Sequence, residues 1–240
     1  MKTRTTLILT IVCLVLSHTI LAQKVEIISQ SDFQPIKKQK DLAFIEPKTD
    51  TTGLKFVATI KSSGEGKKAA LDVLFYTVKY KAQKLGANTF KLKSFEKNDS
   101  LDAATLTLDV YYAADSLLNI NFDNHEKNVV YIFGDFKESE KIYSFKLDNE
   151  KKELKGGTFY RYVNEEGREV RINKGGFSGA TVWIKWEENK PASFLSMTGF
   201  GLGTGPAPAG QIGISFNSGR LNYIDTNLGH LLVSLLHASE

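Results

Sequence analysis

LDVLFYTVKYKAQKLGAN, residues 71–88, is the stretch on which the fold turns. Leu71, Leu74, Phe75, Val78, Ala82 and Leu85 recur at three- and four-residue intervals, so a helix of 3.6 residues per turn stacks them on one face. Gly86 ends the pattern, because glycine alone enters the left-handed conformation after a helix at negligible steric cost. Lys79, Lys81 and Lys84 suit the negative end of the helix dipole. At the other end Ser62 and Glu65 have capping-box spacing, while Gly64 and Gly66 loosen the first turn and set the expected start near Lys67.

On the N-terminal side, Leu54, Phe56, Ala58 and Ile60 alternate with Lys55, Val57, Thr59 and Lys61, the pattern of a half-buried strand. On the C-terminal side Thr89–Phe95 and Ala104–Tyr112 read as strands around the polar turn Lys97–Asp102. Strand, helix, strand, strand over residues 54–114 makes a small α+β unit with the helix on one sheet face. Residues 23–53 are polar, contain Pro35 and Pro47, and are expected to be an N-terminal extension with one strand near Val25–Ile28.

Residues 128–240 change character. Short strands are expected at Val129–Phe133, Ile142–Leu147, Thr158–Val163, Glu169–Asn173, Thr181–Trp186, Ser193–Phe200, Gln211–Phe216 and Leu221–Ile224. Turns fall at Asp148–Lys151, Asn164–Gly167, Glu188–Pro191 and Asn217–Gly219. This spacing predicts an antiparallel β domain, a sandwich or an open barrel. Asp225 or Thr226 then caps a short helix carrying Leu228, Leu231, Leu232, Leu235 and Leu236 on one face, with a terminal strand as the alternative. The fold class expected is therefore α+β, in two small domains.

Lys2 and Arg4 precede the apolar run Leu7–Leu16, and Ala22 precedes Gln23, so residues 1–22 read as a signal peptide. A run of ten is too short for a bilayer core of about 30 Å, so no transmembrane anchor is expected. The protein is expected to be exported, to the periplasm or beyond. Cys13, the single cysteine, lies in this leader, and Val12 stands where a lipidated cysteine wants a small residue. Cleavage leaves a thiol-free chain, without disulfides or thiolate chemistry. The 218 residues after Ala22 suffice for burial alone to drive folding, with no covalent or metallic staple. Removing Lys2 and Arg4 lowers the formal net charge from +4 to +2. With lysines interspersed among acids, no nucleic-acid partner is expected, and Lys37, Lys38 and Lys40 read as a solvated loop.

The chemical motifs fail on spacing. Gly199, Gly201, Gly203 and Gly205 put Thr204 or Pro206 where a dinucleotide motif needs its third glycine. Gly64, Gly66, Lys67 and Lys68 lack the hydroxyl residue of a phosphate loop. Gly176, Phe177, Ser178 and Gly179 end on Ala180 rather than the glycine of a nucleophile elbow. His125, His230 and His237 have no shared spacing that marks a zinc site; His125 reads as a loop residue and His230 as a packed or surface residue. Asp123, Asn124 and Glu126 lack the order of a calcium hand, and Glu165, Glu166, Glu187 and Glu188 fall in solvated turns. No catalytic, binding or metal residue is singled out, and no cofactor is expected. Tyr160 and Tyr162 share one strand face and Trp183 projects opposite Val182, Ile184 and Trp186. Rings on an outer face can stack on sugars or peptides; core packing is the simpler reading.

Ala82, Leu85, Gly86, Ala87 and Asn88 form an Ala-x-x-Leu-Gly-Ala-Asn pattern at the helix end, and the segment from Phe56 to Tyr112 resembles the small envelope modules of the RcsF and YbjQ type. The resemblance implies a module that acts through partner contacts, although the disulfide cysteines of the RcsF type have no counterpart here. The expected function is that of a non-enzymatic binding or interaction protein of a bacterial envelope, with a protein or glycan partner. A polysaccharide or cell-wall hydrolase with paired carboxylates and a carrier of lipid or another apolar ligand are the alternatives.

Overall fold

The apolar face of residues 71–88 is covered by a five-stranded sheet in the order β1-β3-β5-β4-β2. The computed structural model describes residues 23–33, 38–136, 138–175, 179–198 and 221–239. The leader 1–22 with Cys13, Lys37, residues 176–178 of the elbow-like motif, the glycines from Gly199 and the expected strand Gln211–Phe216 lie outside the described residues. In this first sheet β3 (Lys55–Glu65) and β4 (Thr89–Asn98) flank β5 (Ala103–Tyr112) antiparallel, and α1 (Leu71–Lys84) connects β3 to β4. Leu71, Leu74, Phe75, Val78 and Ala82 are buried in one cluster with Ile60, Phe90, Leu106, Leu108 and Val110. Each large aliphatic or aromatic side chain so buried is worth roughly 1.5–3 kcal/mol. Gly86 has φ +83°, the left-handed turn expected of it.

The N-terminal residues do more than extend the chain. β1 (Lys24–Gln30) pairs antiparallel with β3, and β2 (Ala43–Phe44) pairs parallel with β4, so both outer strands of this sheet come from residues 23–53. The expected capping box does not form. Ser62 and Glu65 lie in β3, paired with Leu106 and Ala103, and the sheet ladder holds them extended. Gly66, at φ +56°, then turns the chain into a 3-10 segment, Gly66–Ala69, and the N-cap of α1 is Ala70, which has no side-chain cap. A second helix, α2 (Asp115–Asn124), occupies the stretch before residue 128, so Asp123 and Asn124 lie in its last turn and not in a polar loop. Ile120 and Phe122 face outward, 53% and 42% exposed, Leu117 and Leu118 are half-buried, and the residue that α2 buries is Asn121. Such an inverted face escapes a search for apolar periodicity.

The described residues of the remainder form two sheets, as the α+β reading with a β-rich second part expects. One has the order β13-β12-β6-β9-β14, built from β6 (Val129–Phe133), β9 (Thr158–Val163), β12 (Ser193–Ser196), β13 (Asn222–Tyr223) and β14 (His237–Ala238). The other has the order β11-β10-β7-β8, built from β7 (Ser139–Leu147), β8 (Glu150–Gly156), β10 (Glu169–Lys174) and β11 (Ala180–Lys185). They pack face to face: Val130, Ile132 and Leu195 meet Tyr143, Phe145, Leu154, Ile172 and Ile184. The opposite face, Val129, Tyr131, Phe133, Phe159 and Phe194, joins the cluster that contains α1 and the first sheet. β6 therefore serves two cores, and all five of its residues are buried.

A wholly antiparallel second part is corrected by two parallel pairs, β12 with β6 and β14 with β9. Parallel partners need long crossovers, and the second sheet and the C-terminal helix supply them. β8 is an added strand: in its sequence, EKKELKG, only Leu154 and Gly156 are buried. α3 (Thr226–Leu235) is capped by Asp225, whose side chain accepts from the Asn227 and Leu228 amides, and the terminal strand β14 follows it. Among the described residues no helix is long and apolar enough to cross a membrane.

Candidate functional site

Where α3 meets β2, three ionisable side chains from distant parts of the chain converge. Their meeting depends first on a glycine. A Cβ at Gly229 would stand 2.2 Å from the Phe194 ring, so only glycine lets α3 approach β12 this closely. The next residue, His230, then lies 4.9 Å from Phe194 and stacks on Phe44 at 5.7 Å, ring centroid to centroid. Asn227 Oδ1 accepts from the Phe44 amide at 3.0 Å and ties α3 to β2.

Glu46 follows β2 by two residues, and His125 is the C-cap of α2. Glu46 Oε1 is 3.1 Å from His230 Nδ1 and 3.8 Å from His125 Nε2, and the two imidazoles are 4.2 Å apart. Asn121 holds this arrangement from behind. Its Oδ1 accepts from the Glu46 amide and the Thr49 hydroxyl, both at 2.9 Å, and its Nδ2 donates to the Phe44 carbonyl at 2.9 Å. His125 Nε2 lies 3.3 Å from both Asn121 Nδ2 and the Phe44 carbonyl oxygen. Burial, reinforced by His230, pushes His125 down to about 4, so the ring is neutral at pH 7. Beside the cluster, Glu126 bonds Arg161 at 2.6 Å and accepts from Tyr131, whose hydroxyl is pushed up to about 12 by burial and by that carboxylate.

Two imidazoles and one carboxylate are the donor types of a zinc-class ion, and one ligand atom from each of Glu46, His125 and His230 lies within 4.8 Å of the other two. Sequence spacing did not link them. The signal available was His230 itself, a polar residue beside Leu231 and Leu232 in a helix whose buried residues include all three. His237 is exposed on β14 and takes no part.

A second concentration of chemistry lies at the edge of the sandwich. Among the described residues β11 and β13 end their respective sheets, and Trp183 and Tyr223, 56% and 41% exposed, line one hollow of about 360 Å³. The Arg171 guanidinium, on the neighbouring strand and in register with Trp183, lies 5.7 Å over the indole. Glu169, Lys185, Glu187, Lys190 and Ser193 complete the rim, with Lys190 bonding Glu187 at 2.7 Å. Tyr160 and Tyr162, by contrast, pack on the sandwich core. A smaller hollow of about 210 Å³ opens beside the first turn of α1, between Phe95, Phe136 and a set of aspartates. Glu165 is engaged by Arg168 at 3.0 Å, and Asn124 donates to Thr49 rather than joining Asp123 and Glu126 in a shared loop site. No family model, curated protein or solved structure matches this chain.

Proposed function

We propose that this chain is an exported, non-enzymatic binding protein of the bacterial cell envelope, and that the hollow between Trp183 and Tyr223 takes a glycan of that envelope. Export rests on the leader pattern of residues 1–22. The glycan reading is carried by one observation: two exposed rings from edge strands of different sheets face a common hollow rimmed by carboxylates, ammonium groups and a hydroxyl. Aromatic rings offer flat apolar area at low entropy cost to the C–H faces of a sugar, and the polar rim can bond its hydroxyls. The Arg171 guanidinium lies over the indole, a cation–π contact to the ring.

Cosedimentation of residues 23–240 with insoluble cell-wall polysaccharide tests this. Trp183→Ala is expected to lower retention by about 30-fold, in line with the loss of an aromatic anchor, with circular dichroism unchanged because the ring is exposed. Equal retention of the variant, or no retention of the parent chain, refutes the reading. Soluble sugar released during the incubation would replace it with the hydrolase.

A further inference from the structure

We propose that Glu46, His125 and His230 form a binding site for one divalent transition-metal ion of the zinc class. The site is separate from the aromatic hollow and does not rest on the glycan reading. Zinc bonds to nitrogen and oxygen of about 2.0–2.1 Å, arranged tetrahedrally, place neighbouring ligand atoms roughly 3.3 Å apart. Glu46 Oε1 stands at 3.1 Å and 3.8 Å from the two imidazole nitrogens, and all three ligand atoms lie within 4.8 Å of one another, so an ion is admitted once the side chains draw in around it. Two imidazoles with one carboxylate favour a borderline ion. Calcium and magnesium want more oxygen, and copper(I) wants sulfur.

Two features of the cluster bear on an ion. Among the described residues neither lysine nor arginine forms an ion pair with Glu46, although its side chain is only 18% exposed. Its ion-pair partners are the two imidazoles themselves, which carry a compensating charge only when protonated. His230, more than nine-tenths buried, has no partner at Nε2 among the described residues. With its proton on Nδ1, the ring bonds Glu46 and leaves the Nε2 lone pair buried without a donor. With its proton on Nε2, the Nδ1 lone pair faces the carboxylate at 3.1 Å, a repulsion that a cation between them turns into coordination. At His125 the metal displaces two long contacts, the 3.3 Å approaches of Asn121 Nδ2 and of the Phe44 carbonyl oxygen, and Asn121 keeps its 2.9 Å bond to that carbonyl. Asn121 also bonds the Glu46 amide, so it acts as a positioning residue behind the ligands.

The test is calorimetric titration of chelator-stripped residues 23–240 with zinc chloride, alongside Glu46→Gln, His125→Ala, His230→Ala and the exposed-histidine control His237→Ala. One zinc per chain is expected, with affinity lowered more than about 100-fold in each ligand variant and unchanged in the control. Cobalt(II) supplies a second readout that survives if a histidine variant does not fold: the parent chain is expected to give the visible absorption of four-coordinate cobalt, and the near-isosteric Glu46→Gln to lose it. Absence of zinc binding, binding indifferent to Glu46→Gln, or a parent chain without the cobalt band overturns the site.

Discussion

Asp72 and Asn121 are both buried polar residues, and they differ in how their atoms are satisfied. Asn121 places each side-chain group on a partner, and so joins β2, the turn at Thr49 and α2 through one side chain. Asp72, in the first turn of α1, is 5% exposed, and its Oδ1 has no partner among the described residues. Burial raises its pKa, against the opposing pull of the Val73 and Asp72 amides. A carboxyl whose pKa is higher folded than unfolded costs nothing below the unfolded value of about 3.9, and its penalty grows as pH rises through the folded value. Asp72→Asn is therefore expected to be more stable than the parent at pH 7, by about 1 kcal/mol, with the advantage vanishing near pH 3. Urea unfolding at the two pH values measures this; a variant equally or less stable at pH 7 would falsify the assignment of an uncompensated buried charge.

At the scale of elements, the helices show what can be read from one chain. α1 and α3 are legible because their leucines recur on one face and their ends carry Gly86 and Asp225. α2 is not, since it buries an asparagine and exposes Ile120 and Phe122. β8 is hidden similarly, with lysines and glutamates on most of its positions. Parallel pairing of β12 with β6 depends on a crossover through another sheet, which no local pattern records. The docking of α3 on β12 hangs on Gly229. Gly229→Ala forces a methyl group to 2.2 Å from the Phe194 ring, and the expected cost is about 2–3 kcal/mol, read as a lowered denaturant midpoint with unchanged slope. Alanine is otherwise the better helix former, by about 1 kcal/mol, so a neutral or stabilised variant would show that α3 does not sit against β12.

Across the whole molecule, the two parts expected from composition share a core. The cluster around α1 runs through α3 into Val129, Tyr131, Phe133 and Phe194, and β6 carries the next core on its other side. The sequence reading placed the cohesion of the chain in packed apolar faces, and these clusters agree with it. What it did not hold was the meeting of residues 46, 125 and 230, because that contact exists only once β2, α2 and α3 are stacked. The aromatic hollow was half legible: Trp183 was recognisable as a ring on the face opposite Ile184, whereas Tyr223, on a two-residue strand, joins it only through the arrangement of the sheets. Both sheets are anchored to buried clusters, so the hollow presents its rings from a packed frame rather than from a free loop. Proton–nitrogen correlation spectra of residues 23–240, titrated with a soluble cell-wall oligosaccharide, address the binding claim directly. The account predicts saturable shifts at the Trp183 indole N–H and the amides of Glu169, Lys185, Ser193 and Tyr223, whereas an unchanged spectrum, or shifts confined to the α1 side of the molecule, would contradict it.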